Sequence, residues 1–328
     1  MSLNTYTHVL GSIISVPGSV ANLGGGFDTL GVAVQLYLRV RIVGIDDDGG
    51  SRLVVTRSSP PVIGANALER AFHLAAARRG ITTPTVRVEV DSDIPMAAGL
   101  GSSAAATVAG LRVFERVTQP LEDSVLLGIA AEAEGHADNA APALFGGLTS
   151  VLESAGAEPV ALRWSWPRAL MLVVATPDVG LATAKARAAL SPTVSRQDAV
   201  FNLQRVVSFL HALEHRHYDR LREAVKDRWH QPARASLVPL LEDVLRLDDP
   251  DVLGACLSGA GPSIALLAVD NVARVSALLG SLYNAAATTA TVRILSVHEA
   301  TASRADVNEP RSFDHRADVL TSARGRTA

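Results

Sequence analysis

The most informative part of the chain is Pro95-Met96-Ala97-Ala98-Gly99-Leu100-Gly101-Ser102-Ser103-Ala104-Ala105-Ala106. It joins a glycine-rich loop to the first turn of an alanine-rich helix. Glycines let the backbone approach an anion closely, and the first-turn N–H groups of a helix lack intrahelical acceptors and carry the positive end of its dipole. We therefore expect a phosphate site here, with the hydroxyls of Ser102 and Ser103 beside it.

Two other kinds of phosphate loop fit these residues less well. Gly99, Gly101 and Ala104 have the spacing of a dinucleotide fingerprint, but a proline-containing loop separates them from the preceding strand, and a second helix follows the first. A Walker loop needs a Lys-Ser or Lys-Thr pair after the glycines, and none is present. A glycine turn that only joins a strand to a helix remains the structural alternative, and the paired serines argue against it.

Composition restricts the classes of partner. The chain has 328 residues, 48% of them hydrophobic, and a formal net charge of −3. That charge gives no general attraction to nucleic acid or an anionic membrane, and no apolar run is long enough to cross a bilayer. Cys256 is the only cysteine, which excludes an internal disulfide and favours the cytoplasm. We interpret it as a buried packing residue.

Strand and helix signals alternate along the chain. Alternating valines at residues 86–90 predict a half-buried strand, and the apolar run at residues 169–175 predicts a fully buried one. Helices are expected at residues 104–117, 126–134 and 200–213, whereas residues 151–167 look irregular. We place a soft boundary near residue 160, which gives lobes at residues 1–160 and 161–301 and a mobile tail at residues 302–328.

Several separated motifs resemble the GHMP superfamily of small-molecule kinases, and within it the homoserine kinase family. Besides the loop quoted above, the motifs are PGSVANLGGGFDTLG at residues 17–31, EGHADNAAPA at 134–143, TAKAR at 183–187, HQPAR at 230–234 and LSGAGPS at 257–263. They occur in the family's order and span residues 13–297. The first motif departs by reading Gly-Gly-Gly where the family has Gly-Pro-Gly, and the loop lacks a basic residue at positions 97 and 98.

The resemblance implies a fold and a nucleotide. The fold is α+β with two lobes, an N-terminal lobe like ribosomal protein S5 domain 2 and a ferredoxin-like C-terminal lobe, with the active site in the cleft between them. ATP is implied at the loop formed by residues 95–105, with Asn66 as an adenine-side contact. An asparagine before Ala-Leu-Glu is more often only a helix N-cap.

Magnesium is expected to accompany the nucleotide. It keeps several waters and takes one or two protein oxygens, so a hydroxyl and a carboxylate suffice. The resemblance assigns these roles to Ser103 and Glu134, and Glu132 is held in reserve because it faces another side of the predicted helix.

An amino-acid acceptor needs both an acid and a planar donor in its pocket. The resemblance implies that Asp28 binds the ammonium and that Arg187 and Arg234 bind the carboxylate. Without the motifs, either arginine would be interpreted as a surface charge. The remaining polar groups implied around the substrate are Asn22, His136, Asn139, Thr183 and Gly261.

The activity implied is phosphorylation of the L-homoserine hydroxyl by in-line transfer from ATP, with Ser103, Glu134, Asp138 and Asn139 as the catalytic group. A loose transition state makes a strong base optional. Asp138 is therefore either a base or a residue that holds a turn together with Asn139. Two alternatives stay open: a sibling kinase for another small hydroxy acid, and a catalytically silent sensor of the same fold. A homodimer is a further expectation.

Overall fold

The computed structural model describes residues 6–61 and 66–299, which form two β-sheets flanked by helices. The two-lobed α+β prediction is confirmed. The expected mobile tail at residues 302–328 lies outside the described residues. No helix of the described ranges combines the length and apolarity that a membrane crossing requires.

The first sheet is organised around one long strand. Its members are β1 (Ile13–Ala21), β2 (Leu30–Asp46), β3 (Leu53–Ser59), β4 (Thr85–Ser92), β5 (Leu148–Leu152) and β6 (Val160–Trp164). The 17-residue β2 pairs antiparallel with β1, β4 and β5, whereas β3 runs parallel to β4. The length of β2 therefore allows one strand to connect the whole sheet.

Four helices belong to this lobe: α1 (Ala67–Arg79), α2 (Ser102–Val117), α3 (Asp123–Glu134) and α4 (Ala140–Phe145). Helix α2 is central and buries most of its residues, because its alanines present little bulk on any side. Helix α3 ends at Gly135, which has a left-handed φ of 79° and donates its N–H to the Ala131 carbonyl. The expected helices at residues 104–117 and 126–134 are confirmed.

The second sheet contains β7 (Met171–Pro177), β8 (Gly254–Leu257), β9 (Ile264–Ala268) and β10 (Ala290–Leu295), in the order β10-β7-β9-β8. All its pairs are antiparallel. Its helices are α5 (Thr183–Ala188), α6 (Arg196–His215), α7 (Leu221–Ala224), α8 (His230–Arg234), α9 (Leu241–Leu245) and α10 (Val272–Ala285). With helices between the first and second and between the third and fourth strands, this is the expected ferredoxin-like arrangement.

The two lobes share one hydrophobic core. On β7, Leu172 and Val174 lie in the same cluster as the core of the first sheet. Val173 and Ala175 point to the other face and pack in a second cluster with α10. Burial on both faces explains the unbroken apolar run at residues 169–175, and the predicted buried strand is confirmed.

Two strands overturn the expectation that residues 151–167 are irregular. β5 and β6 pair antiparallel from Leu148↔Trp164 to Leu152↔Val160. The pattern was hidden because β6 is at the sheet edge and stays largely exposed. Residues 160–164 therefore pair within the first sheet, and the boundary near residue 160 stays a prediction.

Cys256 is fully buried on β8. Burial raises the pKa of its thiol to about 12, so the group stays protonated and unreactive. Its interpretation as a packing residue is confirmed.

Helices α1 and α2 pack closely against each other at Gly110. A Cβ at Gly110 would lie 2.1 Å from the Leu68 carbonyl oxygen, which belongs to rigid helix backbone. Gly110→Ala should therefore lower the free energy of unfolding by about 2 kcal/mol, despite the higher helix propensity of alanine.

Gly280 on α10 is the matched control, because the nearest atom to its Cβ position is 3.8 Å away. Gly280→Ala should be neutral or stabilising by up to about 1 kcal/mol. Urea denaturation of both variants measures the difference, and an unchanged or raised stability for Gly110→Ala would contradict the packing described.

Candidate active site

The loop before α2 depends on two glycines in left-handed conformation. Gly99 has a φ of 75° and Gly101 a φ of 70°. Space is also lacking: a Cβ at Gly99 would lie 2.3 Å from the Ser258 carbonyl oxygen, and one at Gly101 would lie 2.1 Å from Ser19 Oγ. Both positions thus require glycine for conformation and for packing.

The carbonyls of this loop are used by the surrounding protein. Those of Ala97, Ala98 and Leu100 accept backbone N–H groups from Leu181, Ser263 and Ser19 at 3.1 Å, and Ser258 Oγ donates to the Gly99 carbonyl at 2.6 Å. Gly101 is the N-cap of α2 and provides no side-chain cap. The amides at the start of α2 are therefore available to an outside acceptor.

The predicted metal pair lies beside this helix start. Ser103 Oγ donates to Glu134 Oε1 at 2.9 Å, and Thr107 Oγ1 donates to the same oxygen at 2.6 Å. Arg70 Nη2 is 3.6 Å away from it. Glu132, the reserve ligand, instead pairs with Arg78 at the surface. This geometry favours Glu134 over Glu132.

The loop between β1 and β2 carries the predicted ammonium ligand. Asn22 and Asp28 both have positive φ, 74° and 53°. Asn22 Oδ1 accepts the Asp28 N–H at 3.0 Å, and Asn22 Nδ2 donates to the Gly259 carbonyl at 2.8 Å. Asn22 therefore fixes the loop to the second lobe and orients Asp28.

Asp28 and Arg187 bind each other directly. Arg187 Nη1 and Nη2 donate to the two carboxylate oxygens at 3.0 and 2.7 Å, in a bidentate pair. The hydrogen bonds to Asp28 raise the pKa of Arg187 above its usual value. The residues predicted for opposite ends of a zwitterion are thus adjacent, one from each lobe, and both remain partly exposed.

Arg234 lies deeper than Arg187. It is almost fully buried, and its Nε and Nη1 donate to the carbonyls of Ala186 and Gly259, both at 3.2 Å. Burial, followed by the nearby charge of Arg187, lowers its pKa, and the carboxylates of Asp28, Asp227 and Asp138 oppose that shift. The guanidinium stays charged.

A histidine supports Arg234. His230 is fully buried, and its Nδ1 is 3.1 Å from Arg234 Nη1, while its Nε2 is 2.8 Å from the Gly24 carbonyl oxygen. Arg234 can only donate and the carbonyl can only accept, so His230 is the neutral Nε2–H tautomer. Burial lowers its pKa and agrees with this neutral form. The ring of Phe27 stacks on His230, and its centroid is 5.6 Å from the guanidinium carbon of Arg187 and 5.3 Å from that of Arg234.

The segment after α3 forms a compact polar cluster. Asp138 Oδ1 is 2.5 Å from His136 Nδ1 and accepts the backbone N–H of Asn139 at 2.8 Å. Asn139 Oδ1 in turn accepts from Ser19 Oγ at 2.8 Å, next to Gly101. Burial lowers the His136 pKa, but the bond and charge of Asp138 outweigh it, and the net shift is upward. This cluster therefore joins Ser19, beside Gly101, to His136, whose pKa is influenced by the charges of Arg187 and Asp28.

The structure brings most of the predicted residues together but not all. Asn66 Oδ1 caps α1 by accepting the Leu68 N–H at 3.0 Å, which supports the interpretation as an N-cap. Thr183 begins α5 with an exposed side chain, and Gly261 lies in the turn against Gly99. Met96 and Ala97 are exposed at the mouth of the loop.

Three residues of the site were missed from the sequence: Phe27, Asp227 and His230. The Asp227 side chain is completely buried and accepts from Asn202 Nδ2 and from the Gln231 N–H, both at 2.6 Å. The spacing Asp-x-x-His-x-x-x-Arg at residues 227–234 was the available signal. Asp227 precedes α8 and accepts the Trp229 and Gln231 N–H groups, and His230 and Arg234 lie one turn apart on the helix.

The described residues contain no group of three or more histidine, cysteine, aspartate or glutamate side chains placed to hold an ion. A hydroxyl and a carboxylate such as Ser103 and Glu134 suit an ion that takes its other ligands from phosphate and water.

Comparisons with known proteins agree with this arrangement. Family models described as "GHMP kinases N terminal domain" and "GHMP kinases C terminal" match residues 65–147 and 209–283. A homoserine kinase of Deinococcus radiodurans is 43% identical over 254 residues, covering 76% of this chain and 82% of the relative. One of Desulfitobacterium hafniense is 37% identical over 87% of this chain and 96% of its own.

A solved structure agrees with the sequence comparisons. The crystal structure of homoserine kinase from Cytophaga hutchinsonii superposes with a TM-score of 0.76 at 26% identity, covering 90% of this chain and 98% of that one. The chain belongs to the homoserine kinase family of the GHMP kinases.

Proposed function

We propose that the protein transfers the terminal phosphoryl group of ATP to the side-chain hydroxyl of L-homoserine, giving O-phospho-L-homoserine and ADP. The observation that carries this proposal is the bidentate Asp28–Arg187 pair. Its charges act on His136, and the polar cluster of His136, Asp138 and Asn139 bonds to Ser19 beside Gly101, the N-cap of α2. The start of α2 offers N–H donors for phosphates, and the Asp28–Arg187 pair offers complementary charges for an amino acid.

The phosphate end is built without lysine. We assign the nucleotide phosphates to the amides around Gly99 and Gly101 and to the start of α2, where the helix dipole adds to the amide donors. Ser103 and Glu134 are the oxygens that suit Mg²⁺. When bound with the nucleotide, the ion neutralises charge on the phosphoryl oxygens.

The acceptor end discriminates by charge. An amino acid can bind its ammonium to Asp28 and its carboxylate to Arg187, so both members of the existing pair keep an opposite charge. Mevalonate has the carboxylate alone and would leave Asp28 without its cation. Charge-assisted hydrogen bonds contribute about 1.5–3 kcal/mol each, so the preference for the zwitterion is substantial.

Positioning accounts for much of the expected rate. The acceptor hydroxyl must lie in line with the terminal phosphorus, and the hydrogen bond from Ser19 to Asn139 joins the polar cluster to the loop beside Gly101. Asp138 holds His136 and Asn139 through one oxygen, which supports a structural role. Because the transition state is loose, we derive the reaction without a strong base. We further propose that the enzyme is cytoplasmic.

The first test is acceptor specificity. ADP release should require L-homoserine and stay near background with L-threonine, mevalonate or no added acceptor. A coupled ADP assay measures all four. Faster release with mevalonate would favour a sibling kinase, and nucleotide binding without turnover on any acceptor would favour a sensor.

Asp28→Asn should reveal the ammonium contact. The substitution keeps the side-chain shape but removes the charge, so kcat/KM for L-homoserine should fall about 10- to 100-fold. The value for 4-hydroxybutyrate, which lacks the ammonium group, should not fall, because this acceptor has no cation for Asp28 to bind. Asp93→Asn is the control because Asp93 also pairs with an arginine, Arg39, at 2.8 Å on the surface. Equal losses for both acceptors would refute the assignment.

Glu134→Gln and Asp138→Asn separate charge stabilisation from base catalysis. Glu134→Gln should lower kcat by about 100-fold or more and raise the Mg²⁺ concentration required. Asp138→Asn should cost less, about 10-fold, whereas loss of a true general base costs about 100- to 10,000-fold. Steady-state kinetics measure the loss of kcat in each variant, and circular dichroism checks that each variant is folded. A larger loss for Asp138→Asn than for Glu134→Gln would overturn the base-free scheme.

A further inference from the structure

Three donors converge on one oxygen of Glu134. Ser103 Oγ and Thr107 Oγ1 donate to Oε1 at 2.9 and 2.6 Å, and Arg70 Nη2 lies 3.6 Å from the same atom. Within residues 6–61 and 66–299, no hydrogen bond reaches the other carboxylate oxygen, Oε2. The protein therefore holds one oxygen of Glu134 and leaves the second oxygen available to a ligand.

Thr107 is an unusual residue for its position in α2. Its side chain is completely buried, and Ala104, Val108 and Leu111, its neighbours on the helix, are buried apolar residues. Threonine is a weak helix former, and a buried hydroxyl without a partner is costly. A threonine inside a helix often bonds to the carbonyl four residues earlier, but the Thr107 hydroxyl reaches across to Glu134 on α3. Valine would fill the same volume, so the bond to the carboxylate is what threonine adds here.

The three donors differ in how firmly they can hold the carboxylate. Ser103 is exposed, and its hydroxyl is itself assigned to the ion. The Arg70 side chain is 50% exposed and also donates to the Ala133 carbonyl at 3.2 Å. Thr107 has a single stiff torsion between its hydroxyl and a helix that is packed into the core. Of the three, Thr107 is thus the donor whose position is fixed by the fold.

We infer that Thr107 is a positioning residue for the magnesium site: its hydroxyl holds Oε1 of Glu134 so that Oε2 stays free for the ion that accompanies the nucleotide. Hydrogen bonds of this kind orient the ligands of a metal, and their loss typically lowers metal affinity about 10- to 100-fold. The inference rests on the proposed function, because Mg²⁺ is assigned to Ser103 and Glu134 as the companion of ATP.

Calorimetric titration with adenylyl imidodiphosphate, a non-hydrolysable ATP analogue, tests this role without turnover. Thr107→Val keeps the side-chain shape and removes the hydroxyl. Its dissociation constant for the analogue should match that of the wild type without Mg²⁺ and should be about 10-fold higher when Mg²⁺ is present. Thr107→Ser keeps the donor and should restore most of the Mg²⁺-dependent affinity.

Thr85→Val is the matched control. Thr85 is also buried, and its Oγ1 donates to the Asp48 carboxylate at 2.9 Å. It lies at the first residue of β4, whereas the phosphate loop follows the other end of that strand. Thr85→Val therefore removes an equivalent bond and should leave both dissociation constants unchanged.

A Glu134→Ala background shows whether Thr107 acts through the carboxylate. In that background, Thr107→Val should change the Mg²⁺-dependent affinity less than about twofold, because the group that the hydroxyl orients has been removed. A full, additive loss would mean that Thr107 acts by another route and would overturn the inference. Circular dichroism of each variant checks that it is folded.

The remaining outcomes separate this inference from the proposed function. Equal Mg²⁺-dependent affinity in the wild type and Thr107→Val, no recovery in Thr107→Ser, or an equal loss in Thr85→Val would each overturn the role of Thr107. A wild type that binds the analogue with Mg²⁺ but does not phosphorylate L-homoserine would refute the proposed function alone. A wild type that does not bind the analogue, or binds it equally with and without Mg²⁺, would overturn the positioning role directly.

Discussion

Contact between the glycine loop at residues 98–101 and the turn at residues 258–263 holds the site together. Gly99 has no room for a Cβ against Ser258 and Gly261, and the loop carbonyls are used by hydrogen bonds from both lobes. The carbonyls therefore point into the protein, and the first-turn amides of α2 are left to face outward. This packing supports the proposed assignment of an anion to the start of α2, where backbone amides are the donors and the loop contains no lysine.

The turn at residues 258–263 also contacts polar side chains from both lobes. The Gly259 carbonyl accepts from Asn22 Nδ2 of the first lobe and from Arg234 Nη1 of the second. Because one backbone carbonyl accepts from groups of both lobes, it fixes Asn22 relative to Arg234. The core shared across the lobes reinforces this, since separating them would expose Leu172 and Val174. The site is preorganised, which suits a reaction that depends on alignment.

The parts of the fold that could be predicted from the sequence are those that short stretches of residues encode. The loop, helices α2 and α3 and the buried strand β7 each have a local signal: glycine spacing, a terminating glycine or an unbroken apolar run. The strand β6 was missed because its exposure at the edge of the sheet removes the alternation that marks a strand. Asp28 and Arg187 were assigned by motif, but their mutual pairing spans 159 positions and has no local signature. His230 was missed for the same reason, because its role depends on the distant Gly24 carbonyl.

The Asp28–Arg187 pair also affects how small ions of the cell interact with these two side chains. Chloride, bicarbonate or inorganic phosphate that displaced Asp28 from Arg187 would leave an unpaired carboxylate nearby, and that carboxylate would repel the anion. A polyamine that displaced Arg187 to pair with Asp28 would in turn be repelled by the positive charge of Arg187. A molecule that carries both charges a short distance apart can replace both partners together, which a simple ion cannot do.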